Sequence, residues 1–145
     1  MNTVVKAFNE LSVDELHDIY SLRAAVFVVE QNCVYQDIDK DDKTAFHIWF
    51  SDDEGIQAYC RVLDKNNRFG EVSIGRVIAV KRRCGYGTKI VEQAINTAQE
   101  KFNAEKIIIE AQTYAKKLYE NLGFVQISDE FLEDGIPHVK MMWEK

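Results

Sequence analysis

The stretch Lys81-Arg82-Arg83-Cys84-Gly85-Tyr86-Gly87-Thr88 joins an apolar run, Val72 to Val80, to an amphipathic one, Thr88 to Phe102. The run before it reads as a long strand. The run after it reads as a helix, because Ile90, Val91, Ala94, Ile95, Ala98 and Phe102 trace a 3.6-residue stripe. The first amides of a helix have no intrahelical acceptor and carry the positive end of its dipole. Gly85 and Gly87 let successive amides turn toward one point and leave no Cβ in the way. The segment therefore predicts a cradle for a pyrophosphate. Arg82, Arg83 and Lys89 place positive charge around it.

Two known phosphate-loop patterns fail here. The P-loop needs G-x-x-x-x-G-K-[ST], but Gly87 is followed by Thr88-Lys89, and Arg82 stands where the first glycine belongs. The dinucleotide pattern G-x-G-x-x-G fits Gly85 and Gly87, and Glu110 stands where its acid belongs, yet Ile90 occupies the third glycine position. Only one crossover unit follows, and the chain ahead of it reads as antiparallel. A nicotinamide oxidoreductase is therefore a poor fit.

Working outward, Val4 to Phe8 reads as a first strand. Ser12-Val13-Asp14-Glu15 is a capping box, and the helix it opens buries Leu16, Ile19, Tyr20, the stem of Arg23, Val26 and Phe27. Glu30 to Lys43 is polar and acidic and reads as loop with a short helix. Phe46, Ile48 and Phe50 alternate with His47 and Trp49, which is strand period, and Ile56 to Leu63 completes a hairpin with them. Ile107-Ile108-Ile109 is apolar on both faces, as in a strand inside a sheet. Thr113 is placed to cap a helix ending near Asn121, with Gly123 in the left-handed position after it. Phe124 to Ile127 and Val139 to Trp143 read as final strands around an acidic loop. The class is α+β: an antiparallel meander, then one strand–helix–strand crossover.

The bulk properties bound the function. A chain of 145 residues, 46% hydrophobic and 11% aromatic, fits a single domain over residues 1–145 with one real core. A net charge of −6 argues against a nucleic-acid partner, while the local basic spot suits a small anion. No apolar run reaches the roughly 20 residues of a membrane helix, and no secretory signal is seen, so a cytoplasmic protein without a membrane partner is expected. The three cysteines form no CxxC pair, and no HxxxH pair occurs, so no metal is expected. Asp37-Ile38-Asp39-Lys40-Asp41-Asp42 begins like a calcium loop, but Asp42 replaces its glycine and Ile48 its closing glutamate. It reads as a solvated turn, with attraction of a cationic substrate as the functional alternative.

Two motifs together resemble the GCN5-related N-acetyltransferase (GNAT) family. Arg82-x-x-Gly85-x-Gly87 matches its Q/R-x-x-G-x-G/A signature. Downstream, Gln112-x-x-Ala115-x-x-x-Tyr119-x-x-x-Gly123-Phe124 matches a second element, with Gln112 in place of Asn. The segments Val28 to Cys33 and Glu133 to His138 look like the ElaA-type subgroup of that family. The resemblance implies a mixed, mainly antiparallel sheet of about six to seven strands flanked by about four helices.

It also implies acetyl-CoA as co-substrate and an N-acetyltransferase that moves the acetyl group to an amine by direct attack in a ternary complex. Backbone groups of Ile78 and Val80, on either side of Ala79, would pair with the pantetheine arm like an added strand. Amides of Arg83, Cys84, Gly85, Tyr86, Gly87 and Thr88 would hold the pyrophosphate, with Arg82 and Gln112 in the cofactor site. Tyr119 matches the acid that protonates the CoA sulfur, and a Val80 amide would hold the oxyanion. Glu30, at the end of the first helix, is the candidate base. Cys84 as a nucleophile lacks a neighbouring histidine. Family acceptors are small-molecule or peptide amines, and late strands of the fold pair into homodimers in some members. The rival reading is a non-catalytic module of the same fold that senses acyl-CoA or binds a protein.

Overall fold

The computed structural model describes residues 2–81 and 84–145. Its strands are β1 (Thr3–Ala7), β2 (Phe46–Asp52), β3 (Gly55–Leu63), β4 (Val72–Ala79), β5 (Lys106–Gln112), β6 (Val125–Gln126), β7 (Phe131–Glu133) and β8 (Ile136–Glu144). Three α-helices accompany them: α1 (Val13–Arg23), α2 (Tyr86–Phe102) and α3 (Lys116–Asn121). The sheet has eight strands in the order β1-β2-β3-β4-β5-β8-β6, with β7 paired to β8. All pairings are antiparallel except β4 with β5, the strands that the α2 crossover connects. This is the α+β architecture expected, with one strand more because the acidic loop itself folds into the β7–β8 hairpin.

The sheet is covered on both faces. Ile48, Phe50, Cys60, Val62, Ile74, Ile107 and Ile109 meet the buried stripe of α2 and Tyr119 of α3 on one side. Trp49, Tyr59 and Ile78 meet Ile19 of α1 on the other. Helix α1 starts where the capping box places it: the Glu15 amide donates to Ser12 Oγ at 3.0 Å and the Ser12 amide to Glu15 Oε1 at 2.9 Å. Beyond Arg23 the chain widens into a π-helical run, Ala24–Glu30, in place of the α-turns expected for Val26 and Phe27. Such runs interrupt side-chain register and recur at functional sites. Thr113 opens a 3-10 turn and makes no cap, and α3 begins only at Lys116; Gly123 does take the left-handed conformation, at φ +97°.

Strand β4 is the long strand expected, Val72–Ala79, but it is not regular: Arg76 has φ +52°, and the β3 pairing slips between Tyr59 and Arg61, which makes a bulge. The acidic segment is not the solvated turn expected. Asp37 and Asp42 are buried, and so is the whole of Arg23, guanidinium included.

Arg23 Nε contacts Asp37 Oδ2 at 3.0 Å and its Nη1 contacts Asp42 Oδ1 at 2.6 Å. Arg61 bridges Asp39 at 2.7 Å and Asp42 at 2.9 Å. Arg76 at the bulge reaches Asp37 at 2.8 Å and Asp39 at 3.4 Å. His47 Nε2 lies 2.9 Å from the Asp42 carbonyl, so that nitrogen donates, and its Nδ1 accepts from the Tyr59 hydroxyl at 2.7 Å. Desolvation makes such a network costly to break, because removing one partner strands a buried charge.

Burial alone would raise the Asp42 carboxyl, but the Arg23 hydrogen bond and the charges of Arg23 and Arg61 outweigh it and hold the carboxyl below its usual range. Burial holds the His47 imidazole below its ordinary value. Both groups are depressed, so each contributes stability at neutral pH that is lost on acidification. The urea midpoint is expected to fall first as pH drops below roughly 6.5, and again below roughly 3.9, where the unfolded His and Asp titrate. Asp42→Asn should lower stability by about 3–5 kcal/mol and blunt the second step. A midpoint that the substitution leaves unchanged would refute this account of the network.

Candidate active site

The parallel β4–β5 pairing consists of Val72 with Ile107 and Ser73 with Ile108. Beyond these residues, among those described, the two strands part. The Arg76 bulge turns β4 away, while β5 continues along β8 through Gln112. The result is a V-shaped slot with an open strand edge on each side. A bulge re-aims the chain and increases twist, which is how one residue opens the sheet.

The register corrects which atoms line the slot. The Val80 amide donates to the Gln57 carbonyl at 2.9 Å, so it points to β3. Backbone groups alternate along a strand, so Ile78, paired with Tyr59, also points to β3, and Ala79 faces the slot. Ala79 is exposed, as an open edge requires. The backbone groups of Ile78 and Val80 are thus engaged with β3, and those of Ala79 are the ones turned to the open edge.

At the mouth of the slot, Gly85 caps α2 with φ +73°, a conformation costly for other residues. The Lys89 amide donates to the carbonyl of this cap residue, Gly85, at 3.1 Å. Gly87 serves a different end. A Cβ there would lie 2.9 Å from Leu118 Cδ1 of α3, so Gly87 lets two helices approach. Tyr86 packs edge-on to Phe50 at 5.4 Å, which anchors this turn to the core. Thr88 is half-buried and Lys89 exposed, while Cys84 is an exposed free thiol. Arg82 and Arg83 lie outside the described residues.

Tyr119 stands on the α2 side of the slot. It is buried, with its ring edge-on to Phe124 at 5.7 Å. Burial, then the neighbouring Cys60 and Tyr114, push its phenol well above the ordinary value. On the opposite face, Gln112 Nε2 lies 3.4 Å from Gln31 Oε1, and Cys33 Sγ lies 3.6 Å from the Asp134 carbonyl. The Val28–Cys33 and Glu133–His138 segments thus meet over the slot. Glu30 ends the π-helical run with its side chain exposed. Asp37, Asp39 and Asp42, offered as a lure for cations, are instead engaged by the protein's own arginines.

A family model described as an acetyltransferase (GNAT) domain matches residues 9–145. The chain belongs to the GNAT family. A UPF0039 protein of Schizosaccharomyces pombe is 43% identical over 145 residues, covering 97% of this chain and 95% of that one. The crystal structure of Escherichia coli ElaA superposes with a TM-score of 0.91 at 35% identity, covering 99% of each chain. An acyl-CoA N-acyltransferase from Pseudomonas aeruginosa gives 0.90 at 33%, again covering 99% of each. The GNAT fold and these relatives make acyl-CoA-dependent acyl transfer the general activity.

Sequence reasoning missed Glu110, Arg68 and Glu133 as a group. Glu110 enters the sequence reading only as the acid of the rejected dinucleotide pattern. Its signal was present: one charged residue in the otherwise apolar run Ile107 to Ala111.

Because Gly87 and Leu118 touch through a would-be Cβ, Gly87→Ala is expected to weaken CoA binding about tenfold, or about 1.4 kcal/mol, by calorimetry. Adding Leu118→Ala should restore most of it. If the double variant binds no better than the single one, the glycine serves the phosphate and not the helix contact.

Proposed function

We propose that this GNAT protein is an N-acetyltransferase that carries the acetyl group of acetyl-CoA to a primary amine by direct attack in a ternary complex. The observation that carries the reading is the parting of β4 and β5 beyond Ser73 and Ile108, with the α2 N-terminus at one end and Tyr119 beside it.

The pantetheine arm lies along the open β4 edge as an added strand and pairs with Ala79. The amides of Cys84 to Thr88 and the positive end of α2 take the pyrophosphate, with Arg82 and Arg83 adding charge and Gln112 facing the arm from β5. The neutral amine attacks the thioester carbonyl from the face opposite α2. The Ala79 amide stabilises the oxyanion. The tetrahedral adduct then collapses, the C–S bond breaks, Tyr119 gives its proton to the departing thiolate, and the surplus nitrogen proton returns through water to the phenolate. Burial keeps the phenol fully protonated at neutral pH, so a proton is on hand when the thiolate forms, although the same burial makes it a weaker acid than a free phenol. Glu30, exposed at the rim, draws cationic amines toward the cleft.

The rival reading is a module that binds acyl-CoA without turnover. Tyr119 at the slot favours the enzyme. Calorimetry with acetyl-CoA tests the donor, and absence of binding at high micromolar concentration would reject it. Tyr119→Phe should lower kcat about 100-fold with acetyl-CoA affinity unchanged. Equal turnover by that variant would remove the acid role.

A further inference from the structure

Glu110 lies on β5 just past the last residue paired with β4, on the face opposite Tyr119. Its neighbours Ile109 and Ala111 point into the core that holds Tyr119, so strand alternation sends Glu110 to the other side. Its side chain is 9% exposed. Oε1 makes no well-formed hydrogen bond, although the Arg68 guanidinium sits against it. Arg68 also donates to Glu133 Oε1 at 3.1 Å, so one guanidinium bridges two carboxylates. That guanidinium belongs to a surface side chain, 65% exposed, on the loop between β3 and β4. A nearly buried carboxylate is therefore neutralised by a cation that water can reach.

We infer that Glu110 is the carboxylate that receives the acceptor: it binds the ammonium of a cationic amine in place of Arg68, with Glu133 beside it, and takes the ammonium's proton. This rests on the acyl-transfer reading above. The N–H bond of the ammonium breaks and its electron pair stays on nitrogen. The proton goes to a Glu110 oxygen and later to water. The freed amine attacks the thioester, Tyr119 protonates the thiolate as the adduct collapses, and the second nitrogen proton passes through water to the Tyr119 phenolate. The acceptor class is an aliphatic amine with positive charge to share between two carboxylates. Arg68 shows the recognition chemistry with the protein's own cation.

The surroundings tune the group for the task. Burial, and then the charge of Glu133, hold the Glu110 carboxyl above the usual value, while Arg68, Lys140 and His138 pull it down. Lys140 is its partner across β8, and His138 Nε2 lies 3.7 Å from Glu133 Oε2. A carboxylate of raised pKa is a stronger base, and displacement of Arg68 removes one of the charges that weaken it.

The test is calorimetric titration of 1,4-diaminobutane into the CoA-saturated protein, with acetyl transfer followed from about pH 6 to pH 10. Glu110→Gln, which keeps shape and volume, should weaken diamine binding at least tenfold and leave acetyl-CoA affinity unchanged. It should also lower kcat/KM about 100-fold near pH 7, and far less near pH 10, where alkylammonium ions of pKa about 10 deprotonate unaided. Arg68→Ala should tighten diamine binding several-fold. No diamine binding by the unaltered protein, equal binding by Glu110→Gln, or a loss of the same size at both pH values overturns the assignment. Failure of the acyl-transfer reading shows separately, as absence of CoA binding.

Discussion

The architecture depends on a buried exchange of charge. Arg23, Arg61 and Arg76 share Asp37, Asp39 and Asp42 in one network beneath the sheet. It ties α1, the acidic segment, β3 and the β4 bulge to one another. An ion pair taken out of water adds little net stability, but each member becomes intolerant of a missing partner. The network acts as a specification: the acidic segment has one place to lie, and Arg76 has one direction to point. Since Arg76 is the residue at which β4 bends, the slot inherits its shape from this charge network.

Much of this was legible in the chain because local patterns carried it. The α2 stripe, the Ser12–Glu15 box and the alternation through Phe46 to Phe50 each express one physical preference over a short window. The two spaced glycine motifs located the slot. The arginine–aspartate pairing was not legible, because its members are separated by up to 39 positions and acids in a polar run look solvated. The bulge was hidden for a similar reason. A positive φ at an arginine has no residue signature, and only the contacts of its side chain to Asp37 and Asp39 explain it. The direction of the Val80 amide was hidden in the same way, since backbone direction depends on a register that the bulge resets.

The sheet divides the chemistry. One face presents Tyr119 from a dry core of aliphatic side chains, where a phenol holds its proton. The other presents Glu110, Glu133 and Gln112 under polar chain segments. A donor thioester lying in the plane of the sheet would have a proton source on one side and a proton acceptor on the other. On the proposed mechanism, that separation would keep the two groups from exchanging the proton directly.

The two residue pairs that join β4 to β5 have a mechanical meaning. They make the sheet two stiff leaves on a short hinge, with a rung-less gap where a ladder should run. An acyl-CoA arm would supply those rungs and stiffen the whole. Release of the spent thiol would then require the leaves to breathe, so product departure and sheet flexibility are one motion, and the pace of turnover is open to control far from the chemistry.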